Sequence, residues 1–286
     1  MPMTREEIRR RIRDLIDQAK GADREASAQA REVLGQAHEE LIRQIAGLPD
    51  EASSYARYQL QELRRATERA MEEFDRRLAS ALKGAQADSF GQARENVDAV
   101  LRDAVGAPAS LADLSRTQLL VAQDYSADLV RGLSQAGRDR LNSTLSRAFL
   151  GGQSVTDIIK EIGRTVGDGQ FGIISRRAET IYRTEVLRMQ SIGTQARLEQ
   201  AVERGVRAQK MWVHAGVPAR VRVYHVLINR QVVPVDETFA GSGPNGEDLM
   251  FPRDPSGAAE DTVNCGCQMF PWVAGFEKFG GITTPA

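Results

Sequence analysis

Apolar side chains recur every three or four residues as far as about residue 205, and beyond that point they alternate. In the first regime Ile8, Ile12, Leu15 and Ile16 share one helical face, and Leu60, Leu63, Met71, Phe74, Leu78 and Leu82 share another. The opposite faces are dense in Arg, Glu and Gln, which lose little side-chain freedom in a helix. Gly47-Leu48-Pro49-Asp50 predicts the end of one long helix, and Gly106-Ala107-Pro108 the end of a second. A third helix, carrying Leu141, Leu145 and Phe149, is expected to stop at Gly151-Gly152. Ser154, three residues before Asp157, predicts the N-cap of a short helix through Ile158, Ile159 and Ile162. A glycine-rich turn from Gly163 to Gly172 then leads into a last long helix over about Ser175 to Glu203.

After Gly205 the stretches VRAQKMWV and RVRVYHVLINRQVVPV alternate and are rich in Val, Ile, Tyr and Trp, which predicts strands, with Asn229-Arg230 as a tight turn. A long loop loaded with Gly, Pro, Asp and Asn follows, from Asp236 to Asn264. A loop of that length in a compact domain is functional or pinned to something. It runs directly into Cys265 and Cys267. The expected fold is α+β, an elongated and mostly helical N-terminal region followed by a small mixed α/β domain. The expected organisation is a helical arm or hairpin over 1–105, a helical connector over 106–172 and the α/β domain over 173–286. The thin apolar stripes of the first hundred or so residues suit a rod that packs on partners; the plainer alternative is an independent three-helix bundle.

Composition narrows the function. With 38 basic and 39 acidic residues the net charge is −1, so no global positive field draws the chain onto nucleic acid or an anionic membrane. No apolar run approaches the roughly 20 residues that cross a bilayer, which argues against a membrane partner. The start, MPMTREEIRRRIRD, is too charged for a secretory leader and reads as cytoplasmic synthesis. P-loop, GxGxxG, HExxH and GxSxG signatures are absent, so an enzyme is not expected.

The chemistry that remains gathers late in the chain. Cys265 and Cys267 are the only two cysteines, and a disulfide between residues two apart would close a strained ring. They read as small buried hydrophobes, as zinc ligands together with His225 and a fourth group such as His214, or as a nucleophile with a histidine base. His225 with Asn229 and Asn264 shares residue types with histidine–asparagine metal nucleases, yet no histidine follows His225. From Arg204 to Arg230 the charged residues are all basic: Arg204, Arg207, Lys210, Arg220, Arg222 and Arg230. From Asp236 to Asp261 they are Asp236, Glu237, Glu247, Asp248, Asp254, Glu260 and Asp261 against the single base Arg253. The expectation is that the acidic loop folds back and neutralises the basic strands, leaving Arg204, Arg207, Lys210 and Arg230 as the candidates for contact with DNA phosphates. Arg183 and Glu185 lie two apart on the last long helix and face different ways, which suggests one buried anchor and one solvated charge.

The stretches AETIYRTEVLRMQSIGTQARLEQAVERGV, KMWV (with Trp212), RVRVYH, INRQVVPVDETF and LMFPRDPSGAAEDTVNCGC stand in the order and spacing of the phage Mu protein F-like minor head proteins, also called head morphogenesis proteins. The resemblance runs from about Arg176 to Pro271. It is carried by Arg183-Thr184-Glu185, by Arg220-Val221-Arg222 with His225, by the Pro252 to Gly257 turn and by Asn264-Cys265-x-Cys267. This chain departs from the family pattern at Pro218-Ala219, where an acid is usual, at Gly266, where a base is common, and at Gln190, where an Asn is expected. The missing acid and base imply a lost ion pair and argue against demanding catalysis there. The resemblance implies a minor component of a tailed-phage or prophage head, assembled in the host cytoplasm and residing in the virion at the head interior or portal vertex. The partners it implies are the portal protein, a major capsid or scaffolding protein and packaged double-stranded DNA. The alternative is a metal-dependent nuclease or transferase using His225, Cys265 and Cys267.

Overall fold

The computed structural model of the chain describes residues 3–47, 56–105, 111, 114–151, 153–214, 221–243 and 247–273. Five helices come first: α1 Arg5–Ala46, α2 Ala56–Val105, α3 Thr117–Leu150, α4 Val155–Ile162 and α5 Gly169–Glu203. They are followed by β1 Ala208–Val213, α6 Val223–Leu227, β2 Val232–Pro234, α7 Ala259–Thr262 and β3 Gln268–Val273. The fold is α+β. The expected breaks at Leu48-Pro49-Asp50, Gly106-Ala107-Pro108 and Gly152 lie outside the described residues, as does Arg220.

Local chemistry explains the helix starts. Thr4 and Glu7 form a capping box before α1: the Thr4 backbone N–H donates to the Glu7 carboxylate, and the Glu7 N–H to Thr4 Oγ1. Ser154 caps α4, accepting from the Asp157 N–H at 3.2 Å, as its spacing predicts. α4 ends at Gly163, whose φ of 128° is open to glycine; a Cβ there would stand 2.4 Å from Asp168 O.

The chain divides into two compact units, each discontinuous in sequence. One comprises residues 25–83 and 123–182. Its buried apolar side chains include Leu34, Leu41, Phe74, Leu78, Leu141, Leu145 and Phe171, and His38 Nε2 lies 2.9 Å from Gly163 O. The other comprises residues 1–24, 84–122 and 183–286, and holds the sheet. Its strands run in the order β2-β1-β3, antiparallel throughout, with Lys210 opposite Val233 on one side and Pro271 on the other.

Strand alternation sorts this second unit into two cores. On one face Met211, Val213, Val232, Phe270 and Trp272 pack with Ile8 and Leu15 of α1, Val97, Val100 and Leu101 of α2 and Leu198 of α5. On the other, Trp212, Val233 and Met269 pack with Ile228, Phe239, Leu249, Cys265 and Cys267. α2 and α5 approach closely at Gly193, where a Cβ would lie 3.0 Å from both Ala93 Cβ and Phe90 O.

One expected strand is absent among the described residues. Residues 223–227 form a single helical turn rather than an extended segment, and only Val232–Pro234 of that stretch joins the sheet. The alternating valines are not a buried face: Val221, Val223, Val226 and Leu227 are all exposed. Without a partner strand their β preference has nothing to pack on, and the turn instead carries His225 inward. The tight turn at Asn229-Arg230 is present, with Arg230 at φ 73° and its N–H donating to Trp212 O.

Candidate metal site

Three segments distant in sequence bring His225, Cys265 and Cys267 together. Their ligand atoms all lie within 4.8 Å of one another, and all three residues are buried. His225 Nδ1 stands 3.6 Å from Cys265 Sγ and 3.8 Å from Cys267 Sγ. The opposite ring nitrogen, Nε2, lies 3.1 Å from Ser242 O. A carbonyl can only accept, so Nε2 carries the proton and Nδ1 presents its lone pair to the sulfurs. His214 stands apart, its backbone N–H donating to Asn229 Oδ1, and does not complete the cluster. Trp212 is fully buried and walls the site, its ring centroid 4.9 Å from that of His225.

The cysteine segment is held by a frame of arginines that spend their donors on backbone carbonyls. Arg253, fully buried and left-handed at φ 67°, donates from one nitrogen to Cys265 O (2.7 Å) and Cys267 O (2.6 Å), and from another to Ser191 Oγ (2.9 Å). Arg188 in turn donates to Arg253 O at 2.9 Å and forms a buried ion pair with Glu185 at 2.6 Å. Arg222 donates to Glu260 O and Val263 O, both at 2.7 Å, tying the start of α6 to the end of α7. Arg183 donates to Asn264 Oδ1 at 2.5 Å, and Thr184 Oγ1 accepts from the Asn264 N–H at 3.2 Å. Together they fix the left-handed residue (φ 58°) that enters the cysteine pair.

The Arg183-Thr184-Glu185 triplet is therefore the platform of the site. Glu185 is the buried anchor. Arg183 is not a solvated charge, since it also pairs with Asp23 at 3.1 Å. Asn229 and Asn264 have their side-chain oxygens engaged in these structural bonds. The sequence reading counted Arg253 as the lone base in an acidic loop and as part of the Pro252 to Gly257 turn, and gave no role to Arg188, Ser191 and Ser242. That isolation among carboxylates and that turn were the available signals.

Electrostatics at the pair follow from contact. A hydrogen bond from Cys267 holds the Cys265 thiol well below the ordinary range, helped by the Arg253 charge. Cys267, as the donor in that bond and buried besides, is pushed far up. Arg253 itself is lowered by its complete burial.

The basic block does not form a phosphate-binding face as a whole. Lys210 is fully buried, with its ammonium donating to Gln195 Oε1 (3.1 Å) and Met250 O (2.8 Å), so it meets no DNA. Arg204, Arg207 and Arg230 are exposed. Among the described residues no ion pair joins the basic and acidic blocks; Arg222 uses carbonyls of the acidic segment instead. The loop acids Asp254, Asp236 and Glu237 act on Lys210 through their field.

Burial pushes Lys210 down to about 8 from 10.5, so holding it charged costs about 3 kcal/mol near neutrality. The folded state then releases this proton before the unfolded chain does, and stability rises with pH between these two values. Relative to a Lys210→Met variant, the parent should gain stability across that window, by up to about 3 kcal/mol. Urea titrations of both proteins at several pH values check this, and parallel curves would remove the assignment.

Residues 139–270 match the family model described as Phage Mu protein F like protein. The chain is 28% identical over 186 residues to the uncharacterized protein YqbB of Bacillus subtilis (strain 168), covering 64% of this chain and 57% of that protein. It is 30% identical over 139 residues to the NAD(+)--arginine ADP-ribosyltransferase EFV of Enterococcus faecalis (strain ATCC 700802 / V583), covering 48% of this chain and 27% of that one. The chain thus spans little more than half of one relative and about a quarter of the other. No solved structure matches.

Proposed function

We propose that this chain, a Mu protein F-like family member through residues 139–270, is a minor head-morphogenesis protein that docks on the inner head or portal vertex during assembly and has no catalytic role. The family match carries this reading. Two surface features support docking. Val221, Val223, Val226 and Leu227 are exposed on and beside α6, an apolar cluster that a free-standing domain would gain by covering. On the same unit, a cleft of about 380 Å³ is floored by Ile8, Ile12, Ile16, Met211 and Val213 and edged by Arg5, Arg9, Arg13 and Arg230. Its described lining includes no acid, which suits an anionic partner, packaged DNA among them. Among the described residues no helix is long and apolar enough to cross a membrane.

The burial of His225, Cys265 and Cys267 weighs against a nuclease or transferase reading, because a substrate would have to reach a centre at most 4% exposed. The transferase relative overlaps over only 27% of its own length, and its activity is not carried over. The test is mass spectrometry of heads purified from the phage or prophage encoding the chain. The parent protein should be present, and a Val223→Glu/Leu227→Glu variant, altered only at exposed positions, should be lost from particles while keeping its circular dichroism. Absence of the parent from purified heads would overturn the assignment; normal incorporation of the folded variant would overturn the docking face.

A further inference from the structure

We propose that His225 Nδ1, Cys265 Sγ and Cys267 Sγ bind one zinc ion that locks the C-terminal fold. The donor set is one imidazole and two sulfurs, the borderline-soft mixture that zinc takes in preference to oxygen-loving cations. The spacing is right for ligands around a single ion, since all three atoms lie within 4.8 Å of one another and no fourth atom need move to bring them there. Most of the side chains that fix the cluster bind no metal themselves, and each does what a metal site requires of its surroundings.

The first of these is Ser242, whose carbonyl holds the Nε2 proton and so leaves Nδ1 as a ready donor, the outer contact that ligating histidines characteristically make. The second is Trp212. Its indole Nε1 is buried, and the one acceptor it faces is the sulfur of Cys267. A zinc-bound thiolate accepts that N–H; a thiol is a poor acceptor. The third is Arg253, which grips both cysteine carbonyls and fixes the two sulfurs in register before any ion arrives.

Charge balance points the same way. The pocket around the two sulfurs already holds a buried cation, the Arg253 guanidinium. A zinc dication that displaces the two thiol protons is balanced by the two thiolates, so it adds no net charge beside that cation. No further Cys, His, Asp or Glu among the described residues joins the cluster, so the remaining coordination position falls to a small donor such as water. Burial makes the role structural.

The experiment is metal analysis and cobalt substitution on the purified full chain, independent of phage assembly. Elemental analysis should give one zinc per chain. Replacement by Co²⁺ should produce a thiolate-to-cobalt charge-transfer band with d–d bands of tetrahedral intensity. Cys267→Ser and His225→Ala should abolish stoichiometric binding. Trp212→Phe keeps an aromatic wall but removes the N–H, and should weaken affinity by about 10-fold with the band retained. A parent protein that is zinc-free after growth with zinc, and silent on cobalt titration, would overturn the proposal even if every variant misfolded. So would a charge-transfer band that survives loss of either cysteine.

Discussion

Arg253→Met should lower the stability of the sheet-bearing unit by about 3 kcal/mol, the net of two opposing effects. The substitution removes a buried cation, which by itself is favourable. It also leaves Cys265 O and Cys267 O, and the hydroxyl of Ser191, without the donor that satisfies them. Each orphaned buried acceptor costs about 1–3 kcal/mol, and the carbonyls cannot be replaced along with the side chain. The losses win. Both tryptophans, Trp212 and Trp272, belong to this unit, so urea unfolding followed by tryptophan fluorescence reports on it directly. A midpoint within experimental error of the parent would mean that the arginine frame is ornamental. Arg253→Lys, which keeps a charge but not the fork, should fall between the two.

Glu185→Gln should cost about 3–5 kcal/mol, because it leaves the Arg188 guanidinium buried beside a neutral amide. The pair is nearly inaccessible, with side chains 3% and 7% exposed, and both carboxylate oxygens lie within 2.7 Å of the same arginine nitrogen. In that setting the destabilisation comes from the stranded cation more than from the lost attraction. A Glu185→Met/Arg188→Met double variant, which removes both charges at similar volume, should therefore be more stable than Glu185→Gln alone. The same fluorescence-monitored melts decide it. A double variant less stable than the single one would show that the Arg188 bond to Arg253 O, rather than charge burial, dominates this corner.

The residues behind these two effects were unequally visible in the sequence. Glu185 stood out as part of a triplet, and one buried charge at that place was expected. Its partner Arg188 was not, because an i,i+3 pair on a helix looks the same whether the helix face is wet or dry. Arg253 sat in plain view as the single base in an acidic loop. Nothing in the local sequence says that its guanidinium turns inward, and the left-handed backbone that aims it has no glycine to announce it. Lys210 shows the opposite error. Strand alternation places it beside Trp212, on the face that becomes a core, yet its charge suggested solvent and phosphate. The segment around His225 misled through its valines, whose β preference is real only where another strand or sheet covers them.

By itself the sequence determined the long helices, the cap at Ser154, the first strand, the turn at Asn229-Arg230 and the similarity of residues 139–270 to Mu protein F-like proteins. These are written in period, capping residues and motif order, which act over a few neighbouring positions and survive in any surroundings. Only the tertiary structure decided that Ile8 and Leu15 share a core with Met211 and Phe270, that residues 223–227 coil instead of extending, and that His225 meets two cysteines about forty positions later. Those outcomes depend on how long loops close and which buried donors find acceptors, and such long-range pairings leave no period in the chain to read.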